Sequence, residues 1–313
     1  MKYKIFLKYI ILPIIILVLH FGKLQALENK ILFKIDNEIV TTIDIYNELK
    51  FFKMFNQQIN DLSKQEQLEI SKNSIIKNKI KKVEILKFTE EIKIESKFLL
   101  KFVQNKFKNM RISSMDDFEK DLELNGLDIE VIKEKLTIEL IWNDLIFQKF
   151  NSKVSIDRNK IKKEVLNNSN KYLRELSISE IIFNISKKKD FEDKYSKILE
   201  DINLTGFKNA ALIHSISDTA SVGGYIGWVK EDNLNPTIKD SILDLKKGQF
   251  SKPILTSSGF IILKIEDEKE YKIDTNLNDE IKKLIMYKTN EQLNQFSRLY
   301  FNKIKKNIIF NEL

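Results

Sequence analysis

Glycine and proline are distributed unevenly along the 313 residues, and this distribution constrains the fold more than any other feature. Between residues 41 and 168 the chain has one glycine, Gly126, and no proline. Between residues 206 and 259 it has six of its eight glycines, together with Pro236 and Pro253. Because both residue types interrupt helices and favour turns, the first segment is predicted to be helical. The second is predicted to consist of short elements joined by turns.

Capping motifs divide the first segment into helices. Thr41 is followed by Asp44 and Ser63 by Glu66, which is the spacing of a capping box, so helices are predicted to begin there. These two helices are predicted to end near residues 58 and 92. Apolar periodicity predicts further helices at about 98–107, 114–125, 129–150 and 156–167. A β-hairpin is predicted in front of them, over residues 31–40.

The turn-rich segment and its flanks predict a compact α+β unit. Strands are predicted at 172–184, 227–229, 254–255 and 260–265, and helices at about 191–199, 207–213 and 237–245. This β-α-α-β-α-β-β order is typical of an α+β domain. A helix over 278–306 and a strand over 307–310 are predicted to follow. Because this helix has too many apolar side chains to remain exposed, we expect it to pack onto the N-terminal helices.

Residues 1–26 have the pattern of an export signal. Three lysines, Lys2, Lys4 and Lys8, precede an apolar run at 10–19, and residues 24–26 (LQA) are a plausible cleavage site. The run is shorter than the roughly 20 residues that a membrane-spanning helix needs. We therefore expect a signal peptide over 1–26 and a mature protein in the periplasm. Leu24 is an unusual residue for its place before the cut, so an uncleaved inner-membrane anchor stays as the alternative.

Composition argues against several classes of function. The formal net charge is +8, but four lysines lie in residues 1–26 and the others are spread along the chain. Nucleic-acid binding, which needs a basic stripe, is therefore not expected. The chain has no cysteine, which excludes disulfides and thiol catalysis, and its only histidines are His20 and His214. No metal site, small-molecule cofactor or Ser-His-Asp triad is expected.

Five sequence blocks carry a resemblance to a known family. They are FKNAALIHS at 207–215, GGYIGW at 223–228, LNPTI at 234–238, LKKGQFSKPILT at 245–256 and SGFIILKI at 258–265. In this order and spacing they closely resemble the parvulin domain, the rotamase or PpiC type of peptidyl-prolyl isomerase. Trp228 is expected to be buried beside the glycines of the second block.

The flanking segments resemble the SurA group of periplasmic chaperones. The hairpin at 34–41 and the helix and strand at 300–310 carry this second resemblance. It implies an N-terminal helical chaperone domain at 27–170 and a parvulin-like domain at 171–271. Residues 272–313 would then form the C-terminal helix and strand that return to the helical domain.

The parvulin resemblance also places the family's pocket on this chain. Active parvulins carry two adjacent histidines under the pocket, and Glu180 and Ile261 occupy those positions here. The other pocket positions are a polar centre, a proline clamp and two hydroxyls, and they fall at Ser217, Asp218, Thr219, Leu234, Ile238, Thr256 and Ser258. No catalytic residue is assigned.

Both alternatives for the chemistry remain open at this stage. A glutamate and an isoleucine cannot rebuild a pair of imidazoles that exchange hydrogen bonds, which favours absent or very weak isomerase activity. A working isomerase with a nonstandard pocket is the alternative. The side chain of Glu180 is interpreted as a solvated strand residue or a relocated polar contact. His214 is interpreted as a surface or structural residue that could in principle turn towards the pocket.

The SurA resemblance implies a second kind of site, a cradle for unfolded outer-membrane proteins. Adaptable Phe and Met side chains suit promiscuous binding. The peptide-binding candidates are Phe51, Phe52, Met54, Phe55 and Phe102, and Phe88, Phe98, Phe107 and Met110 are further possibilities. For any single one of them, a place in the core is the better interpretation. The expected partners are unfolded outer-membrane precursors or other exported polypeptides, and the outer-membrane assembly machinery is a further possible partner.

Overall fold

The computed structural model describes residues 29–107, 110, 112–168, 172–185, 187–256, 259–272 and 277–312. The predicted leader and the site candidate Ser258 lie outside these ranges. No helix within them is long and apolar enough to cross a membrane. The α+β fold is confirmed. We call residues 29–168 with 277–312 the helical unit and residues 172–272 the sheet unit.

Each unit combines helices and strands. The helical unit contains β1 (Ile31–Ile35), β2 (Glu38–Thr41), α1 (Thr42–Phe55), α2 (Lys64–Ile85), α3 (Ser96–Lys106), α4 (Met115–Leu124), α5 (Ile129–Phe150), α6 (Arg158–Asn168), α10 (Leu277–Lys305) and β7 (Phe310–Glu312). The sheet unit contains β3 (Tyr172–Phe183), α7 (Phe191–Thr205), α8 (Phe207–His214), β4 (Tyr225–Lys230), α9 (Pro236–Ile242), β5 (Ile254–Thr256) and β6 (Gly259–Lys272).

The predicted helix starts are confirmed by their caps. The capping boxes of Thr41 with Asp44 and of Ser63 with Glu66 are both formed. Helix α2 ends at Ile85, so the prediction that it reaches residue 92 is wrong. The hydroxyl of Thr89 donates to the carbonyl of Glu91 at 3.0 Å. Such local side-chain bonds compete with helical ones and favour the irregular segment that follows.

A three-stranded sheet joins distant parts of the helical unit. Its order is β2-β1-β7, and all pairs are antiparallel. The hairpin is confirmed, whereas the last strand begins at residue 310 and not at 307. Trp142 of α5 is fully buried beneath this sheet, and its indole nitrogen donates to Ser297 of α10 at 2.9 Å. The C-terminal helix and strand therefore pack on the N-terminal helices, as expected.

A buried ion pair links three helices of this unit. Lys135 of α5 lies 2.7 Å from Glu48 of α1, with side chains that are 8% and 2% exposed. The hydroxyl of Ser74, on α2, donates to the same carboxylate at 2.5 Å. Buried charges are tolerated when they are paired and hydrogen-bonded, and here the arrangement fixes α1, α2 and α5 relative to one another.

The sheet unit is a four-stranded antiparallel sheet covered on both faces. Its order is β4-β3-β6-β5. Helices α7 and α8 cover the face that carries Ile181 and Phe183. The opposite face carries Ile178 and Ile182, and α9 packs against it together with Tyr287 of α10. Both faces of β3 are therefore covered, and residues 178, 180 and 182 share the face towards α10.

Trp228 is not buried, which contradicts the sequence-based expectation. On β4 the core contact is made by its neighbour Val229, which is 5% exposed, whereas Trp228 is 41% exposed. Alternation along the strand places these two side chains on opposite faces. The ammonium of Lys269 lies 4.1 Å from the centre of the indole ring, so the ring is covered by a cation and not by core side chains.

The two units are joined through α8 and the turn that follows it. Leu212 of α8 packs in one apolar cluster with Phe52 and Ile59 of the helical unit. Asn209 is fully buried beside them, and its amide donates to the carbonyl of Gln58 at 2.7 Å. This contact is mixed apolar and polar and holds the sheet unit against α1 and the segment after it.

Candidate binding site

A cleft of about 610 Å³ lies between the sheet unit and helix α10. Its lining includes the pocket positions expected from the sequence, apart from Ser258, which lies outside the described residues. The expected positions that it brings together are Glu180, Ser217, Asp218, Thr219, Leu234, Ile238, Thr256 and Ile261. The volume is within the range of about 300–1,000 Å³ that is typical of ligand pockets.

The floor of the cleft is apolar. Leu234 and Ile238 are 6% and 8% exposed and belong to the same buried cluster as Ile261. The start of α9 holds them in place, because Asn235 caps this helix by accepting from the amide of Ile238 at 2.9 Å and Pro236 follows it. Proline is well suited to the first turn of a helix. The local sequence at the start of α9 therefore positions this part of the floor.

Glu180 lies within the cleft wall, and the interpretation of it as a solvated strand residue is wrong. Its side chain is 8% exposed. One carboxylate oxygen accepts from the hydroxyl of Ser217 at 2.5 Å and from that of Thr219 at 3.0 Å. Burial raises the pKa of Glu180, although the two hydroxyls act in the opposite direction. The alternative interpretation, a relocated polar contact, agrees with this geometry.

Ile261 places an apolar side chain at the second position where active parvulins carry a histidine. It lies opposite Ile182 on β3 and opposite Ile254 on β5, and it is 7% exposed. Across the strand pair from Glu180 stands Leu263, which is also apolar. The carboxylate of Glu180 therefore has hydroxyl partners from the 217–219 segment and no imidazole partner among the described residues.

Asp218 is oriented towards the helical unit. Its carboxylate lies 2.7 Å from Lys77 and 3.2 Å from Lys81, both on α2, while its side chain remains 44% exposed to the surrounding clefts. Desolvation by the protein atoms around this partly exposed carboxylate raises the pKa of Asp218, but the two ammonium groups outweigh it and hold this pKa well below its usual range. The pKa of Lys81 is lowered, because it is buried and shares this carboxylate with Lys77. Asp218 thus contributes to the contact between the units.

Helix α10 forms the second wall of the cleft, which the sequence-based assignment missed. The side chains that it contributes are Tyr287, Asn290, Glu291, Asn294, Gln295 and Arg298. Their spacing of three to four residues is that of one helix face. The spacing of these polar residues can be read from the sequence. The prediction for this helix considered only its apolar side chains and therefore did not use it. The wall is mainly polar, in contrast to the floor.

His214 lies outside the cleft lining formed by the described residues. It is 6% exposed, and its Nε2 lies 2.5 Å from a carboxylate oxygen of Asp201. Burial lowers the pKa of His214, although Asp201 favours the charged form. Its position at the end of α8, bonded to α7, agrees with the interpretation as a structural histidine.

The structure corrects the expected aromatic cradle. Phe51 and Phe52 are each 2% exposed and lie in the core, and Phe55 stacks on the buried Phe107 with ring centres 4.0 Å apart. These apolar rings are buried where the helices pack against one another, as is usual for phenylalanine. Met54, Phe102 and Met110 are half-buried against the same cluster. Among the candidates named from the sequence, Phe88 and Phe98 are exposed, at 57% and 48%.

Replacing Glu180 by Gln should stabilise the protein at neutral and alkaline pH. Because the folded-state pKa of Glu180 is raised, the folded chain holds this proton more tightly than the unfolded chain does. Its contribution to stability is therefore complete below the ordinary value of 4.5 and declines as the pH rises above it. A Gln oxygen can still accept from Ser217 and Thr219.

Calorimetric unfolding at about pH 4 and about pH 8 tests this prediction. The variant should unfold at a higher temperature than the wild type at the upper pH, and the gain should shrink towards the lower pH. The matched control is Glu69→Gln, at an exposed position on α2. An equal shift in both variants, or a gain confined to acid pH, would contradict the prediction.

The chain matches one known family and two groups of relatives. Residues 177–267 match the Rotamase family, described as the PPIC-type PPIASE domain. The chain is 24% identical over 215 residues to Chaperone SurA of Pseudomonas putida, covering 64% of this chain and 50% of that protein. It is 22% identical over 217 residues to Foldase protein PrsA of Clostridium botulinum, covering 66% and 60% respectively.

Solved structures include SurA-like chaperones of Campylobacter jejuni, one of which aligns with 91% of this chain and 99% of its own at 16% identity and a TM-score of 0.33. The chain spans only half the length of its Pseudomonas relative. The segment that matches the Rotamase family begins within β3 and ends within β6, and it contains the floor of the cleft. The chain therefore carries a PpiC-type parvulin domain within a protein that is similar to the SurA chaperones and PrsA foldases.

Proposed function

We propose that this protein is an exported periplasmic chaperone that binds unfolded outer-membrane proteins, and that its parvulin domain does not catalyse proline isomerisation. One observation carries the proposal. The cleft is open, at about 610 Å³, while the two histidine positions hold a buried Glu180 bonded to hydroxyls and an apolar Ile261. An open cleft that has no imidazole at these two positions suits binding better than catalysis.

The chemical argument concerns the barrier to rotation about the peptide bond. This barrier is roughly 18–20 kcal/mol because of amide resonance, and an enzyme lowers it with groups that favour the twisted transition state. The accepting oxygen of Glu180 already has two hydroxyl donors, and Ile261 has no polar group. Asp218 is held by Lys77 and Lys81. This arrangement provides no imidazole pair for the reacting amide.

The binding argument rests on the cleft and on the relatives. Chaperones and foldases act on unfolded polypeptides, and the similarity to SurA and PrsA supports that general class of ligand. The basic, apolar leader sequence supports export, and therefore a periplasmic site of action. Precursors of outer-membrane barrels, whose strands alternate apolar and polar residues, are the proposed clients. An anchored form, with the leader uncut, would act on the same clients at the inner membrane.

One preparation of the full chain tests both parts of the proposal. Light scattering should show that it suppresses aggregation of a denatured porin diluted from urea. The same protein, at micromolar concentration, should leave the rate of a protease-coupled proline-peptide assay at its uncatalysed value. Failure to protect the porin would contradict the chaperone assignment. Turnover that disappears in a Leu234→Asp variant would instead establish the second candidate, an isomerase with a nonstandard pocket.

A further inference from the structure

The two walls of the cleft differ in chemistry. The apolar floor described above is the wall on the side of the sheet unit, and we call it the sheet wall. It is formed by aliphatic side chains, among them Leu234, Ile238 and Ile261, all less than a tenth exposed. The wall from α10 carries three carboxamides, those of Asn290, Asn294 and Gln295. A segment lying between the walls would therefore meet apolar surface on one side and hydrogen-bonding groups on the other.

Tyr287 connects the two walls. Although it belongs to α10, it is half-buried and packs on the same cluster as Leu234 and Ile238. Both of these positions, at which the parvulin resemblance placed the proline clamp, are aliphatic here. The helical unit thus supplies an aromatic ring to the floor from outside the parvulin domain. Burial raises the pKa of Tyr287, which agrees with a ring set in the apolar wall.

The carboxamides match the main chain of a peptide. A carboxamide carries both a donor and an acceptor, so it can bond to either group of a peptide unit whatever the side chain is. Asn290 and Asn294 are exposed to the cleft one helical turn apart, and Gln295 is half-buried beside them. Two of the acids that line the cleft are already engaged, Glu180 by two hydroxyls and Asp218 by two lysines. The third acid, Glu291, lies on the α10 wall together with Arg298.

We propose that the cleft binds an extended segment of unfolded polypeptide, holding an apolar side chain between Tyr287 and the sheet wall and the main chain through the carboxamides of α10. The inference rests on the proposed chaperone function and names the site and the class of ligand. Because recognition uses the main chain and one apolar side chain, a proline in the segment is not required. Alternating apolar and polar residues would suit the two walls.

The absence of cysteine from the sequence allows a direct test. Asn294→Cys places one thiol at the cleft, and a bulky maleimide attached to this thiol blocks the cleft. Met286→Cys, which is on the same helix at a 61% exposed position outside the cleft lining of the described residues, is the matched control. The probe is a fluorescein-labelled ten-residue peptide of alternating Val and Thr without proline, followed by fluorescence polarisation. A companion peptide has Ser in place of each Val.

The maleimide on residue 294 should raise the Kd of the Val-Thr peptide by at least about ten-fold, which corresponds to the loss of a substantial part of the contact. The same label on residue 286 should leave the Kd unchanged. Tyr287→Leu, which keeps the wall apolar but removes the ring, should weaken binding more than Met286→Leu does. The Ser companion should bind more weakly than the Val-Thr peptide.

Three results would overturn the inference: no binding by the unlabelled full chain, equal binding of both labelled proteins, or equal binding of both peptides. Each does so even if the protein protects a porin, since the protecting surface would then lie elsewhere. Conversely, peptide binding that is lost only with the label on residue 294 supports the inference. It does so even if porin protection fails, in which case only the proposed clients are contradicted.

Discussion

Replacing Lys135 by Met should lower the free energy of unfolding of the helical unit by about 3–5 kcal/mol, because it leaves a buried carboxylate without its cation. Glu48 is 2% exposed and would keep, among the described residues, only the hydroxyl of Ser74 as a partner. Met has nearly the length of the Lys stem, so packing against Phe51, whose ring centre lies 5.3 Å from the ammonium, changes little. The loss should therefore be electrostatic.

Urea unfolding followed by tryptophan fluorescence measures this effect. The chain has two tryptophans, Trp142 in the core of the helical unit and Trp228 on the sheet unit. A Trp228→Phe background leaves Trp142 as the only reporter. Lys133→Met is the control, because Lys133 lies on the same helix but is 30% exposed in its ion pairs with Glu119 and Glu130. The control should lose less than about 1 kcal/mol; equal losses would contradict the prediction.

Replacing Gly224 by Ala should disrupt the cleft as well as the fold of the sheet unit. Gly224 has a φ of +79°, which side-chain-bearing residues rarely adopt. An added Cβ would also collide with the carbonyl oxygen of Glu180 and lie 3.1 Å from the Cβ of Ala211. The amide of Glu180 donates to the carbonyl of Gly224 at 2.8 Å, so any relief of the collision displaces the backbone that carries Glu180.

Gly206→Ala separates the backbone strain from the steric collision of the added Cβ. Gly206 has a φ of +87°, and apart from its chain neighbours no described residue would lie within 4 Å of its added Cβ. With a ψ of 161°, Gly206 has a backbone conformation that is essentially confined to glycine, so this variant should show backbone strain alone, about 1–3 kcal/mol. In urea unfolding, Gly224→Ala should lose at least about 2 kcal/mol more than this control. Similar losses in the two variants would mean that the sheet relaxes away from the collision at little cost.

Local signals in the sequence predicted local structure well. The capping boxes at Thr41 and Ser63 marked helix starts correctly, and the predicted helix 129–150 has the observed bounds of α5. These features depend on side chains three to four residues apart, and apolar periodicity covers the same range. The four strands of the sheet unit were also predicted in the correct order, because glycine and proline separate them.

Features that depend on distant residues were not predictable in the same way. Whether Phe52 faces a client or Leu212 depends on how two units meet, which no local pattern records. Glu180 is a typical surface residue on a strand until α10, nearly a hundred positions later, covers that face. The partners of Asp218 lie on α2, 137 positions from it in the case of Lys81. For the site, the sequence identified the sheet wall and missed the helix wall.

The pairing of β1 with β7 has a consequence for the order in which the two units fold. The amide of Ile309 donates to the carboxylate of Asp36, 273 positions earlier, so the three-stranded sheet is complete only once residues 310–312 are available to pair with β1. Residues 172–272 are contiguous and can fold before that. Closing so long a loop is slow, and domains fold as units. The sheet unit should therefore be native before β7 has paired with β1 in the helical unit. During that interval the cleft has only one wall.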